Sequence, residues 1–246
     1  MNVLVLAENL FAAVRVAQAV SLPGVRVAVL LCRNRKSRAI MALGLVRALA
    51  RLLAAPVLWP TLLALTMRGL VRYFPRVDHP RALAWMRRRR PDVGLHGMDV
   101  IYKQPVLDCF AQGILNPHIG LLPDYRGRSV LEWSLIAGAP LGVTTFFIDA
   151  GVDTGRRILG FTPVDLRGAP NVEAAKNRLF ALAPTLFRDC LVRLTGPDPV
   201  FLPNDIAKGR RYYEISELMR EVAEACLALE AEPGQDGPLA GSSSDS

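Results

Sequence analysis

Three residues able to handle protons and developing negative charge fall close together in this chain. Asn116 and His118 open the run Asn116-Pro117-His118-Ile119-Gly120-Leu121-Leu122-Pro123-Asp124-Tyr125-Arg126-Gly127, and Asp153 opens Asp153-Thr154-Gly155. Each sits where a hydrophobic stretch gives way to a loop, which is how an enzyme presents polar groups to a substrate. An Asn amide N–H can stabilise the oxyanion of a tetrahedral intermediate. An imidazole can accept a proton from an attacking amine near neutral pH, and a carboxylate can orient the ring and stabilise its charged form. The set suits acyl transfer to an amine, and no nucleophilic Ser or Cys is needed if the acyl donor is already activated.

The elements that must position these groups can be read from spacing. Residues 3–7 are a short apolar run, 10–20 have helical spacing, and 25–31 are again apolar and β-branched, with Pro23-Gly24 between them. This is a β-α-β opening, and it predicts an α/β fold: a Rossmann-like, mostly parallel sheet with helices on both faces and a ligand crevice at the carboxyl ends of the strands. Further along, a helix is expected over 83–90 led by Asp78-His79-Pro80, a strand over 93–96, a short helix over 105–110, and a strand over 113–116 that ends at the polar motif. A helix over 129–137 with Trp133 and Leu135 inward, strands over 142–149 and 157–164, and one long helix from Asn171 to about 194 complete the core. Pro197, Pro199 and Pro203 mark an exit from regular structure. A last helix spans 214–230. Residues 1–205 thus read as the catalytic domain, 206–231 as a C-terminal helical extension, and 232–246 as a disordered tail.

An inserted pair of basic amphipathic helices is expected over 37–54 and 57–73, hinged at Pro56 and Pro60. No acidic residue occurs between Glu8 and Asp78, while arginines recur throughout that interval. The net charge is +8 and the mean hydropathy +0.25. Such helices suit an anionic membrane surface; equally, they could cover a sheet edge or join two subunits. The longest uncharged run, 52–67, is too short and too proline-broken to span a bilayer. Four scattered cysteines without a C-x-x-C pair or His cluster imply reduced thiols in a cytoplasmic protein, with no metal site. The first residues read as a strand rather than a signal peptide. The run Arg87–Arg90 reads as the solvated end of a helix before it reads as a phosphate grip. His79 reads as a surface cap, His96 as a structural histidine near the crevice, and Glu132 as a helical residue able to face the acceptor.

The blocks Asn116-Pro117-His118, Leu121 to Gly127, Gly142-Val143-Thr144 and Asp153-Thr154-Gly155, in this order and spacing, resemble the signature of the folate-dependent formyltransferases. The resemblance runs from about Asp99 to Gly160, with the β-α-β start besides. It implies a formyl group taken from 10-formyltetrahydrofolate and given to an amine, with Asn116, His118 and Asp153 as catalytic residues. It also implies that the pterin is held by Gly97, Met98, Asp99, Val100 and Ile101 and by Ile148, Asp149 and Gly151. Three features depart from the family's pattern. Gly120 stands where many members have Ser, Phe146 stands where some have a second His, and Ala7-Glu8-Asn9-Leu10 replaces a Gly-rich phosphate turn. The last departure weighs against a ribonucleotide acceptor, and too few residues after Pro203 for a C-terminal β-barrel weigh against a transfer RNA. The expectation is therefore a small-molecule amine such as an amino sugar, nucleotide-linked or lipid-linked, rather than nucleic acid. A transfer-RNA acceptor, hydrolysis of the folate donor, and a non-catalytic module on the same scaffold are the alternatives.

Overall fold

The structure, a computed structural model, describes residues 1–32, 50, 51 and 53–231. Most of the predicted helix over 37–54 and the predicted tail over 232–246 lie outside the described residues. The central sheet has eight strands in the order β3-β2-β1-β4-β5-β7-β8-β9. These are β1 (Asn2–Ala7), β2 (Arg26–Cys32), β3 (Val71–Phe74), β4 (Val93–Gly97), β5 (Gly113–Ile119), β7 (Gly142–Ile148), β8 (Arg157–Pro163) and β9 (Leu202–Pro203). The ladders from β3 to β5 are parallel, and those from β5 to β9 antiparallel. The remaining two strands, β6 (Tyr125–Gly127) and β10 (Arg210–Tyr212), pair with each other in a small separate sheet.

The β-α-β opening forms as its spacing dictates. Helix α1 (Leu10–Ala19) is capped by the Asn9 side chain, which accepts from Ala12 N–H, and buries Ala13 and Ala17 against one sheet face and Val14 against Leu58. The strands β1, β2 and β4 alternate between two cores. Val3, Val5, Val29, Val93 and Leu95 pack with α1 and the later helix α7 (Ala183–Thr195). Leu4, Leu6, Ala28 and Leu30 pack with Trp85 and Met86 of α3 (Pro80–Arg89). Burying a Leu such as Leu6 or Leu30 completely contributes about 2–3 kcal/mol, so this two-sided sheet is the rigid platform for the loops at its carboxyl end. His79 does cap α3, its Nδ1 accepting from Arg81 N–H.

Four expectations are corrected. The predicted helix over 57–73 is a short 3-10 turn (Pro56–Leu58), then α2 (Trp59–Met67), then the parallel edge strand β3. Gly69, at φ +61°, reverses the chain between them, and Val71, Tyr73 and Phe74 favour extended backbone. The predicted long helix from Asn171 is two, α6 (Val172–Ala181) and α7, because Pro184 can open a helix but not continue one. Residues 197–201 do leave regular structure, but Pro203 does not lie outside it: Leu202–Pro203 pair with β8 as the edge strand β9. Trp133, on α5 (Val130–Ile136), is half-buried rather than inward; its indole N–H donates to Tyr213 O. A short helix α4 (Gln104–Leu107) precedes β5, and α8 (Glu217–Ala231) buries Ala223 and Leu227 against α5 and α6.

Candidate active site

Strand β5 runs through the polar motif instead of ending at Asn116. From Asn116 onward it pairs, among the described residues, with β7 alone, since pairing with β4 stops at Leu95–Leu115, and a strand with an open side tolerates Pro117. Asn116 and His118 therefore share a face because they are two apart in a pleat, not because the chain has left it. Across the ladder Asn116 lies opposite Phe146 and His118 opposite Thr144. The Gly-Val-Thr block acquires its reason here. Thr144 Oγ1 donates to Gly120 O at 2.5 Å and accepts from Leu122 N–H at 3.2 Å, which fixes the turn that follows the histidine. The Phe146 ring stands edge-on to the His118 imidazole, centroids 6.3 Å apart, so the departure from a second histidine supplies an apolar wall.

Asp153 reaches the imidazole from the loop after β7. Its backbone is left-handed, φ +53°, a conformation Asp tolerates better than most residues. Asp153 Oδ1 lies 3.6 Å from His118 Nδ1, and Oδ2 accepts from Gly127 N–H at 3.0 Å. Asn204, buried, donates from Nδ2 to both Asp153 O (3.1 Å) and Gly155 O (3.0 Å). Gly155 is required because a Cβ there would collide with the Phe147 carbonyl oxygen of β7. His118 is 7% exposed and the Asp153 side chain 14%, so the pair is shielded from bulk water yet reachable.

The tautomer follows from the partners. His118 Nε2 is 2.8 Å from Tyr125 O; a carbonyl only accepts, so Nε2 carries a proton. A neutral ring would then turn an Nδ1 lone pair toward a carboxylate. The imidazolium satisfies both sides at once, donating at Nε2 to the carbonyl and facing Asp153 with Nδ1–H.

His96, at the carboxyl end of β4, is the neighbouring imidazole. The fully buried Tyr102 Oη is 2.9 Å from its Nδ1. Burial holds the Tyr102 phenol well above its ordinary range, so it stays protonated and donates. Burial also pushes His96 down to about 4, against the opposing pull of Asp153 and Asp99. His96 is thus neutral near pH 7 and carries its proton on Nε2.

Two cavities meet at Asn116 and His96. The larger, about 800 Å³, is lined by Gly97, Met98 and Asp99, by His118, and by Glu132, Lys176 and Phe180. The smaller, about 100 Å³, is lined by Val100, Ile101, Ile148, Asp149, Gly151 and Asp153. The residues expected to hold a pterin are therefore divided: 97–99 face the larger space, and 100–101 with 148–151 the smaller. Met98 is buried in the core and offers backbone only, and Asp99 N–H is already engaged by Glu8 Oε1 at 3.2 Å. The smaller slot has apolar walls from Val100, Ile101 and Ile148 and a polar rim. Asp149 Oδ1 accepts from Gly151 N–H and Thr154 Oγ1. Flat apolar walls with a few polar edges fit a planar heterocycle.

Glu132 faces the larger cavity. It is 1% exposed, accepts from Lys176 Nζ at 2.6 Å through Oε1, and keeps Oε2 buried with no partner. Sequence reasoning missed Lys176, Tyr102 and Asn204. They come from remote elements and belong to no local motif. Only an unexplained Glu132, demanding a counter-charge, could have prompted a search for Lys176.

The motif region matches known proteins. A family model described as formyl transferase matches residues 91–182. The methionyl-tRNA formyltransferase of Acetivibrio thermocellus is 31% identical over 123 residues, 48% of this chain and 39% of that protein. The methionyl-tRNA formyltransferase of Solibacter usitatus is 39% identical over 90 residues, 34% of this chain and 28% of that protein. The chain thus spans well under half the length of these curated relatives. Among solved structures, a 4-N formyltransferase from Francisella tularensis superposes with a TM-score of 0.61 at 15% identity, covering 96% of this chain and 89% of that one. A glycinamide ribonucleotide transformylase from Symbiobacterium toebii gives 0.56 at 20% identity, covering 83% and 94%. The structural likenesses establish the fold, and the matched segment contains Asn116, His118 and Asp153 together. Residues 91–182 are thus similar to the formyl transferase family, and the fold is that of the solved formyltransferases.

Proposed function

We propose that the protein is a folate-dependent N-formyltransferase acting on the amine of a small-molecule acceptor, best an amino sugar. The observation that carries this reading is the meeting of the two cavities at Asn116, with His118 walling one and Asp153 the other. The smaller slot fits the pterin of 10-formyltetrahydrofolate, which when bound supplies an activated formyl group. The larger cavity has room for a sugar-sized acceptor.

In this reading Asn116 donates an amide N–H to the formyl oxygen as negative charge develops there, a contribution of about 3–4 kcal/mol for one well-placed donor. Asp153, held by Gly127 N–H and Asn204, keeps the His118 ring in orientation and stabilises its charged form. The amine that gains the formyl group gives up a proton and the folate nitrogen that loses it takes one, so the transfer ends with both nitrogens neutral. His118 relays that proton through Nε2 once the ring turns from Tyr125 O. Glu132 Oε2, buried and unpartnered, is placed to accept from an acceptor N–H or O–H. The three buried thiols and half-buried Cys226, all free, fit a reducing compartment such as the cytoplasm.

The test incubates the protein with 10-formyltetrahydrofolate and a panel of acceptors: nucleotide-linked amino sugars, glycinamide ribonucleotide, methionyl-tRNA, and none. Formylated sugar by mass spectrometry supports the proposal. Formylation of methionyl-tRNA alone would replace the acceptor, and release of formate without an acceptor would mean hydrolysis.

A further inference from the structure

The opposite end of the sheet carries a third cavity, of about 1380 Å³, where β1 and β2 begin. Arg26, Arg68, Arg72, Arg88 and Arg89 line it, and among the described residues none of those lining it is acidic. Arg89 is tied in place, donating to Gly69 O at 3.1 Å and stacking over the Trp85 ring at 4.7 Å. Burial, together with the neighbouring Arg72 charge, pushes the Arg89 guanidinium below its ordinary range. Like charges gathered in one concavity without carboxylates make an unbalanced positive field, which attracts anions.

The wall of this cavity is α2, and the same helix offers an apolar face outward. Pro60, Leu63, Ala64 and Met67, at i, i+3, i+4 and i+7, share one side. Pro60 and Ala64 line the cavity, while Leu63 and Met67 are 61% and 79% exposed. Val57, one turn earlier, is 68% exposed. An apolar row edged by arginines is the composition of a helix that lies in the lipid interface. No helix among the described residues is long and apolar enough to cross a membrane.

We propose that this end of the sheet docks on anionic phospholipid bilayers, with Leu63 and Met67 entering the interface and the arginine-lined cavity taking lipid phosphate. The catalytic crevice lies at the carboxyl ends of β1 and β4, so the docked protein keeps its crevice turned to the solution. The inference is independent of the acceptor.

The test is flotation of the purified protein with phosphatidylcholine vesicles, with and without phosphatidylglycerol. Binding is expected only with the anionic lipid, and is expected to be lost near 0.5 M NaCl, where screening shortens to about 4 Å. At about five-fold per arginine near the surface, the triple substitution Arg68→Gln, Arg72→Gln, Arg88→Gln weakens it by about a hundred-fold. Leu63→Ser with Met67→Ser, on an exposed face, also releases the protein while leaving its melting temperature unchanged. Equal binding to neutral vesicles, or none at low salt, overturns the proposal. Inorganic pyrophosphate raising the melting temperature with no vesicle binding would make the cavity a soluble-anion site. A change from dimer to monomer in the serine variant with lipid binding intact would assign the apolar face to a second copy. Either result overturns the proposal.

Discussion

Lys176→Met isolates the ion pair in the wall of the larger cavity. Lys176 Nζ lies 2.6 Å from Glu132 Oε1, and Glu132 is 1% exposed with its second oxygen already unpartnered. Removing the ammonium leaves a buried carboxylate with no counter-charge, and breaking such a pair costs about 3–5 kcal/mol. The Lys176 side chain is 28% exposed, so solvent reaches the gap and the lower end, about 3 kcal/mol, is expected. For a domain of this size that lowers the melting temperature by about 6–12 °C. Replacing both partners with apolar groups, Glu132→Leu with Lys176→Met, removes the stranded charge and recovers most of the loss. Urea denaturation of the four proteins closes the double-mutant cycle, with an expected coupling of about 2 kcal/mol. In steady-state assays Lys176→Met raises KM for the amine acceptor more than that for the folate. A single variant within about 1 kcal/mol of the parent, or strictly additive losses, would refute the reasoning that the pair is a desolvated unit.

Three further outcomes follow from the geometry. His96 has a folded value of about 4 against an ordinary 6.5, so between these limits the unfolded chain binds the extra proton and stability falls as pH drops. Its share approaches about 3 kcal/mol by pH 4, and His96→Gln, which still accepts from Tyr102, flattens that part of the stability–pH curve in urea titrations. Asn204→Ala frees the Asp153 and Gly155 carbonyls, costs about 1–3 kcal/mol, and lowers kcat through a loosened Asp153 with little change in KM. Asp153→Asn keeps the shape of the loop but removes the charge beside His118 Nδ1, and kcat for formyl transfer falls by about a hundred-fold or more; a loss under ten-fold would leave Asp153 a merely structural residue.

The parallel half of the sheet was legible because its evidence is local: apolar runs of strand length, a helical period between them, and turn residues at the joints. Asn116 and His118 stand out as polar residues closing an apolar run, although the strand continues through them to Ile119, and Asp153 stands in the loop that follows β7. What was not legible depends on distance. Nothing near Asn204 says that its amide will hold the loop of Asp153, and nothing near Tyr102 says that it will set the proton on His96. The strand at Val71–Phe74 was hidden by its length, since four residues after a helix carry too little pattern to outweigh the helical spacing before them. The break at Pro184 could have been read more strictly, because a proline in the interior of a helix forfeits a hydrogen bond and clashes with the preceding turn.

The central claim is that His118 moves the proton for formyl transfer from a folate to an amine. The direct measurement is single-turnover transfer of labelled formyl from 10-formyltetrahydrofolate to the accepted amine by the parent protein and by His118→Ala, with circular dichroism confirming that both are folded. The account predicts transfer by the parent and a loss of at least about a hundred-fold in the variant. Equal rates in the two folded proteins would contradict it.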